Sequence, residues 1–204
     1  MSKTAIFEDV NRDLLLTALN TAVQAVSRDT AVPELCRVNV TQDGMVLATD
    51  MYVAVRFDLA GKTVPADTYE PVFHEGTSFG RSEVSAIVKV LKAHFRMPRR
   101  VKLSRSADGV LWLDGHNVGL AGKPLQAGLE RAVLRNLAHS DPVPNDPHRF
   151  LSVKFGKFGK ILGALGKHDS FDIQTVQLGG GKHGLKATGV DDRFTALVVG
   201  GRGA

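Results

Sequence analysis

The chain has 204 residues, 43% of them apolar and 23% charged, with one cysteine and a formal net charge of +5. These proportions describe an ordinary soluble globular protein of one large or two small domains, and a single cysteine excludes an internal disulfide framework or a thiolate metal cluster. No apolar run approaches the roughly 18 residues a membrane span needs, and the opening MSKTAIFEDV lacks the layout of a signal peptide, so a cytoplasmic chain with no membrane segment is expected.

An extended run over residues 3–7 opens the chain, followed by a helix in which Val10, Leu14, Leu15, Ala18, Leu19, Ala22, Val23 and Val26 keep a helical period after the candidate cap Asp9. Pro33 ends it. Strands are expected at 37–40, 45–48 and 52–57, with Gln42-Asp43-Gly44 as the first turn, since glycine accepts the positive φ such turns need. Cys36, between Leu35 and Val38, reads as a buried structural thiol.

The order then repeats. A short extended run at 70–74 precedes a helix capped by Ser82 that carries Val84, Ile87, Val88, Leu91 and Phe95 on one face until Met97-Pro98. Strands follow at 101–104, 110–113 and 118–120, with turns at Ala107-Asp108-Gly109 and Asp114-Gly115. A third extended run at 149–153 leads into a helix striped by Phe155, Phe158, Ile161, Leu162 and Leu165, although Gly156, Gly159, Gly163 and Gly166 each weaken it by about 1 kcal/mol relative to alanine. Strands at 171–178, 184–188 and 196–199 complete that unit. The chain thus reads as three strand–helix–three-strand units. Residues 123–147, with Pro142, Pro144 and Pro147, are either a linker or the remnant of a fourth.

Basic residues outnumber acidic ones only in the later chain: 5 against 8 over residues 1–60, 9 against 6 over 61–122, and 12 against 7 over 123–204. In the second helix Lys89, Lys92 and Arg96 share a face opposite the apolar stripe, and Lys154, Lys157 and Lys160 do the same in the third. The first helix exposes Asn20, Gln24 and Arg28 instead, a face that is polar but hardly basic. Such stripes suit a sequence-independent polyanion partner, with cations at phosphate distance and no recognition helix. They equally suit a solvated helix face.

Signatures of chemistry are absent. GGGKHG at 179–184 has no Ser or Thr after Lys182 and reads as a hairpin loop. The histidines have no metal-ligand spacing, Asp191-Asp192 reads as a turn, and there is no nucleophile elbow. No enzyme, metal or cofactor is expected.

Residues 15–33, LLTALNTAVQAVSRDTAVP, followed by GMVLATDMYVAVR at 44–56, resemble the first half of a domain of the bacterial beta-type DNA sliding clamps, and residues 63–122 resemble the second half. FLSVKFGKFGKILGALGKHDSFDIQTVQL from Phe150, with TALVVGGR from Thr195, is similar to the last half-domain of such a clamp. The resemblance implies an α+β clamp fold with helices on one face of antiparallel sheets, one clamp-like domain over 1–122 and an abbreviated second over 123–204. It implies a homo-oligomeric ring around duplex DNA that tethers a polymerase or other replication protein, and so short a clamp would suit a phage. Arg28, Lys89, Lys92, Arg96, Lys154, Lys157 and Lys160 would face DNA. A pocket for short peptide motifs of a polymerase or clamp loader would involve Thr49, Asp50, Met51, Tyr52, Val53, Leu134, Arg135, Leu197, Val198 and Val199. Met51-Tyr52 replaces the usual Gly-His there, and Gly200-Gly201 replaces Pro-Met. The alternative is an interaction adaptor that keeps the fold without encircling DNA.

Overall fold

Strand β1, Lys3–Asn11, runs directly into helix α1, Arg12–Ala25, and one side chain fixes the junction. Asn11 Oδ1 accepts the Asp13 and Leu14 amides at 2.9 and 3.1 Å, satisfying two of the donors that a helix start leaves unpaired. The cap is therefore Asn11 rather than Asp9. Asp9 lies inside the strand at φ +57°, a left-handed conformation that short polar residues tolerate, and Val10 is buried as a strand residue rather than as the start of the helical stripe. The computed structural model describes residues 3–60, 71–93, 98–119, 123–124, 141–142, 155–165, 170–178, 182–189 and 192–199.

A 3₁₀ turn, Pro33–Cys36, leads into the meander β2, Arg37–Val40, β3, Met45–Thr49, and β4, Val53–Asp58. Gly44, at φ +82°, makes the β2–β3 turn, and a Cβ there would sit 2.6 Å from the Phe73 ring, so both backbone and space demand glycine. Cys36 is half-buried rather than buried, with its Sγ donating to the Asp29 carbonyl at 3.0 Å.

Of the extended run expected at 70–74, Glu70 lies outside the described residues and the rest holds β5, Val72–Phe73, while the strand that enters the second helix is β6, Thr77–Gly80. No apolar alternation announces it. Thr77 and Ser78 are buried because arginines satisfy them: Arg105 donates to Thr77 Oγ1 at 2.8 Å, and Arg37 donates to Ser78 Oγ and to its carbonyl at 2.9 and 2.8 Å. Helix α2, Arg81–Ala93, starts one residue before the expected cap Ser82. Glu83 instead reaches back to the Gly80 amide, half of a capping box, while its carboxylate pairs with Arg37 at 3.0 Å.

After α2 come β7, Arg100–Ser106, β8, Leu111–Leu113, and β9, His116–Asn117, the last placed before the expected 118–120. The two-residue strands β10, Lys123–Pro124, and β11, Asp141–Pro142, follow, then helix α3, Phe155–Leu165. The chain finishes with the meander β12, Phe171–Leu178, β13, Lys182–Gly189, and β14, Phe194–Val199. The extended run at 149–153 and Leu120 lie outside the described residues.

The strand order shows why the repeat matters. A five-stranded sheet runs β5-β1-β7-β8-β9 and a nine-stranded one runs β10-β6-β2-β3-β4-β14-β13-β12-β11. The strand opening the first unit joins the second unit's meander through β1–β7, and β6 returns the exchange by joining β2. Neither half completes a sheet alone. The last unit attaches through β14, which pairs with β4 from Phe194↔Phe57 to Val198↔Val53 and is buried on both faces. Glu8 ties β1 to its neighbours, accepting Lys102 Nζ at 2.9 Å and lying 3.3 Å from His74 Nε2, and the lysine contact holds its carboxyl below the usual range.

Helix α3 forms despite its glycines because Phe158, Ile161 and Leu165 are buried in the same core as α1 and α2. A Cβ on Gly156, Gly159 or Gly163 would meet nothing within 4 Å. Gly159→Ala should therefore raise stability by roughly 0.5–1 kcal/mol through helix propensity alone. Urea unfolding at constant m-value checks this, and a loss of stability would mean that the glycine face is covered.

Candidate functional site

The three described helices bury their apolar stripes in a core shared with both sheets, which leaves their polar sides facing outward. Helix α1 packs against both α2 and α3. Between α1 and α2 runs an open groove of about 490 Å³ whose floor is Val23, Val84 and Val88 and whose rim carries Lys89 and Lys92. Both lysines are exposed, as is Lys160 on α3 and Arg28 beyond the end of α1. No acidic residue stands in the first turn of α3, and the one in the first turn of α2, Glu83, is engaged by Arg37. The outward sides of α2 and α3 are therefore cationic, while α1 exposes Asp13 beside Arg12 in its first turn. The apolar groove between α1 and α2 was not anticipated, because its walls come from two helices far apart in sequence.

Lys157 departs from the expected DNA-facing set. Its ammonium donates to the carbonyls of Ala25 and Val26, at 3.4 and 3.2 Å, and forms a close ion pair with Asp50. Helix α1 has no basic residue in its own last turn. Lys157 supplies from α3 the cation that the partially negative C-terminus favours, and Arg81 adds a second bond to the Val26 carbonyl at 3.1 Å. Arg96 and Lys154 lie outside the described residues.

The residues expected around a peptide pocket do converge, although they are separated by most of the chain. Val53 opposes Val198 across the β4–β14 ladder, and the Val199 amide donates to the Tyr52 carbonyl at 2.7 Å. Asp50 Oδ1 accepts the Tyr52 and Val53 amides at 3.0 and 2.8 Å, and Thr49 Oγ1 donates to the Val53 carbonyl at 2.8 Å. This closed turn holds Met51 at φ +76°. Thr49, Val53, Leu197 and Val198 are buried, so their side chains are committed to the sheet and its two faces. Met51 and Tyr52 are the side chains on offer, at 72% and 60% exposure. Leu134 and Arg135 lie outside the described residues.

With this geometry in place, solved structures supply the comparison. The chain matches the DNA polymerase sliding clamp of Bacillus subtilis with a TM-score of 0.63 at 11% identity, over 98% of this chain and 66% of that one. The DNA polymerase III beta subunit of Thermotoga maritima gives 0.62 at 10% identity, covering 97% and 65%. The chain has the sliding-clamp fold. A third clamp of that fold, from Bartonella birtlesii and solved with griselimycin bound, gives 0.59 at 12% identity, covering all of this chain and 66% of the other. This chain thus spans slightly less than two thirds of the length of these clamps. No family model matches the sequence, and comparison with curated proteins gives no match. Identities this low establish a shared fold and leave function to the surfaces described above.

Proposed function

We propose that the chain is a sliding-clamp-like processivity factor: a non-enzymatic protein that associates with duplex DNA without reading its sequence and holds a polymerase, a clamp loader or another replication protein there. The observation that carries this reading is the pairing of a sliding-clamp fold over nearly the whole chain with helices α2 and α3 that expose the cations Lys89, Lys92 and Lys160 on their outward sides. Such cations attract phosphates through counterion release and leave base edges unread.

In this reading residues 1–122 form one clamp-like domain and 123–204 an abbreviated second, with Arg28 adding to the DNA face. Met51 and Tyr52 make the first contact with a short peptide motif of a partner, on a turn backed by Thr49, Asp50, Val53 and Leu197 to Val199. The protein works in solution as a homo-oligomer large enough to surround a duplex. Among the described residues no helix is long and apolar enough to cross a membrane.

Solution mass by light scattering, with and without duplex DNA at low and moderate salt, tests the proposal. A closed oligomer whose DNA association weakens steeply with salt is expected. A species indifferent to DNA at every salt concentration would overturn the clamp reading in favour of an adaptor that uses the Met51-Tyr52 turn without DNA.

A further inference from the structure

The groove between α1 and α2 combines an apolar floor with a cationic rim. Its lining on α2 runs from Val84 to Ala93, about 14 Å at helical rise, and α1 closes the other side with Asn20 and Val23. Val84 is buried, whereas Val23 and Val88 are only half-buried against the core, so the floor is apolar and still meets solvent. On the rim stand Lys89 and Lys92, three residues apart and exposed. Among the described residues neither ammonium makes a hydrogen bond or an ion pair. No carboxylate of the two helices balances them. Glu83 of α2 is held by Arg37 and the Gly80 amide, and Asp13 of α1 lies about two turns before Asn20.

We infer that this groove binds an amphipathic helical segment of a partner protein, one with aliphatic side chains on one face and carboxylates beside them. Val84 and Val88 are one turn apart, so a helix laid along α2 sets successive apolar side chains, spaced at three and four, over both. Lys89 and Lys92 are also about a turn apart and meet acidic residues on the flank of the same helix. A duplex offers phosphates to the lysines but no aliphatic side chain to the valines. The α2 of a second copy would set lysine against lysine. Only an acidic, apolar segment answers both the floor and the rim.

The groove stands apart from the clamp reading, but its consequence rests on that reading. Lys89 and Lys92 are the cations assigned to DNA, so the acidic helix and the duplex exclude each other. A partner of this chemistry holds the chain off DNA.

Fluorescence anisotropy of the full chain with a labelled peptide tests this. The probe is a helix-forming peptide of about 14 residues, roughly four turns, with leucines on one face at spacings of three and four and glutamates on both flanks. Saturable binding is expected, weakened about tenfold or more when serine replaces the leucines and the charge is kept. Ser85→Trp should weaken it as much, because it fills the groove from an exposed position of α2 without entering the core. K89E with K92E should also weaken it, and a probe with lysine in place of glutamate should recover the affinity. The leucine-glutamate probe should displace a labelled duplex from the unaltered chain, while S85W keeps its duplex affinity within about threefold, since no charge is lost. No saturable binding, equal binding of the serine probe, or an unaffected S85W would each overturn the inference. Binding of dodecanoate in place of the peptide, or a dimer lost in S85W, would give the groove to another occupant and overturn it equally. Duplex binding without probe binding would sink this inference and leave the clamp reading standing. Probe binding by a chain indifferent to duplex would support the groove and sink the clamp.

Discussion

Reversing Lys89, Lys92 and Lys160 together to glutamate is expected to cut affinity for duplex DNA at low salt by at least a hundredfold, with no change in thermal stability beyond a few degrees. The three side chains are exposed, form no bond the fold depends on, and sit on the outward side of helices whose inner stripes are buried. Each ammonium lost from the phosphate surface should make the slope of log K against log salt shallower by about 0.9, or roughly 2.7 for the three. Reversal adds repulsion to that loss. The effect should be the same for any duplex sequence, since no side chain on this face is fixed to read base edges. Titrating labelled duplexes of two unrelated sequences across a salt series gives both slope and affinity. Unchanged binding in the folded triple variant would remove the helix layer from the DNA interface.

Much of this architecture was legible in the sequence, for reasons that individual elements make plain. Helix α2 was visible because Val84, Ile87 and Leu91 repeat at helical spacing with Lys89 and Lys92 opposite, so one stretch encodes both the buried and the exposed face. Helix α3 was visible through Phe158, Ile161 and Leu165 even against its glycines, since burial of a stripe outweighs propensity. Strand β6 was not legible: its buried Thr77 and Ser78 look like loop residues until Arg105 and Arg37 arrive from other strands to bond them. The same limit applies to the cap of α1. Asp9 and Asn11 are both good capping residues, and only the pairing of β1 with β7, through Asn11↔Arg100, shows that the strand continues past Asp9.

Lys157 is the most instructive residue, because helical spacing places it on a lysine stripe while the structure gives its ammonium partners within the fold. Its partners are carbonyls at the end of α1 and a carboxylate in the β3–β4 turn, more than a hundred residues away in sequence. Local spacing carries no trace of such a partner. A stripe of lysines at helical spacing thus identifies the polar side of a helix and does not by itself say which of its charges remain free.

Lys157→Met should cost about 2–3 kcal/mol of stability, the range for losing hydrogen bonds to a charged group and leaving the partner poorly paired. For a chain of this length that corresponds to a fall in Tm of roughly 4–12 °C. The side chains of Lys157 and Asp50 are 27% and 15% exposed, so solvent replaces the lost contact only in part. Asp50→Ala should cost more than Lys157→Met, because Asp50 also accepts the Tyr52 and Val53 amides that close the turn. A double-mutant cycle should return a coupling of about 1–3 kcal/mol, as for groups in direct contact. The salt dependence of DNA binding should not change in the folded Lys157→Met variant, in contrast to the triple reversal, since this ammonium already serves the end of α1. Amide exchange should instead quicken at Tyr52 and Val53, whose donors lean on the carboxylate that Lys157 fixes. A stability loss under about 0.5 kcal/mol with a shallower salt slope would return Lys157 to the phosphate-facing set, and the cation closing α1 would then have to be Arg81 alone.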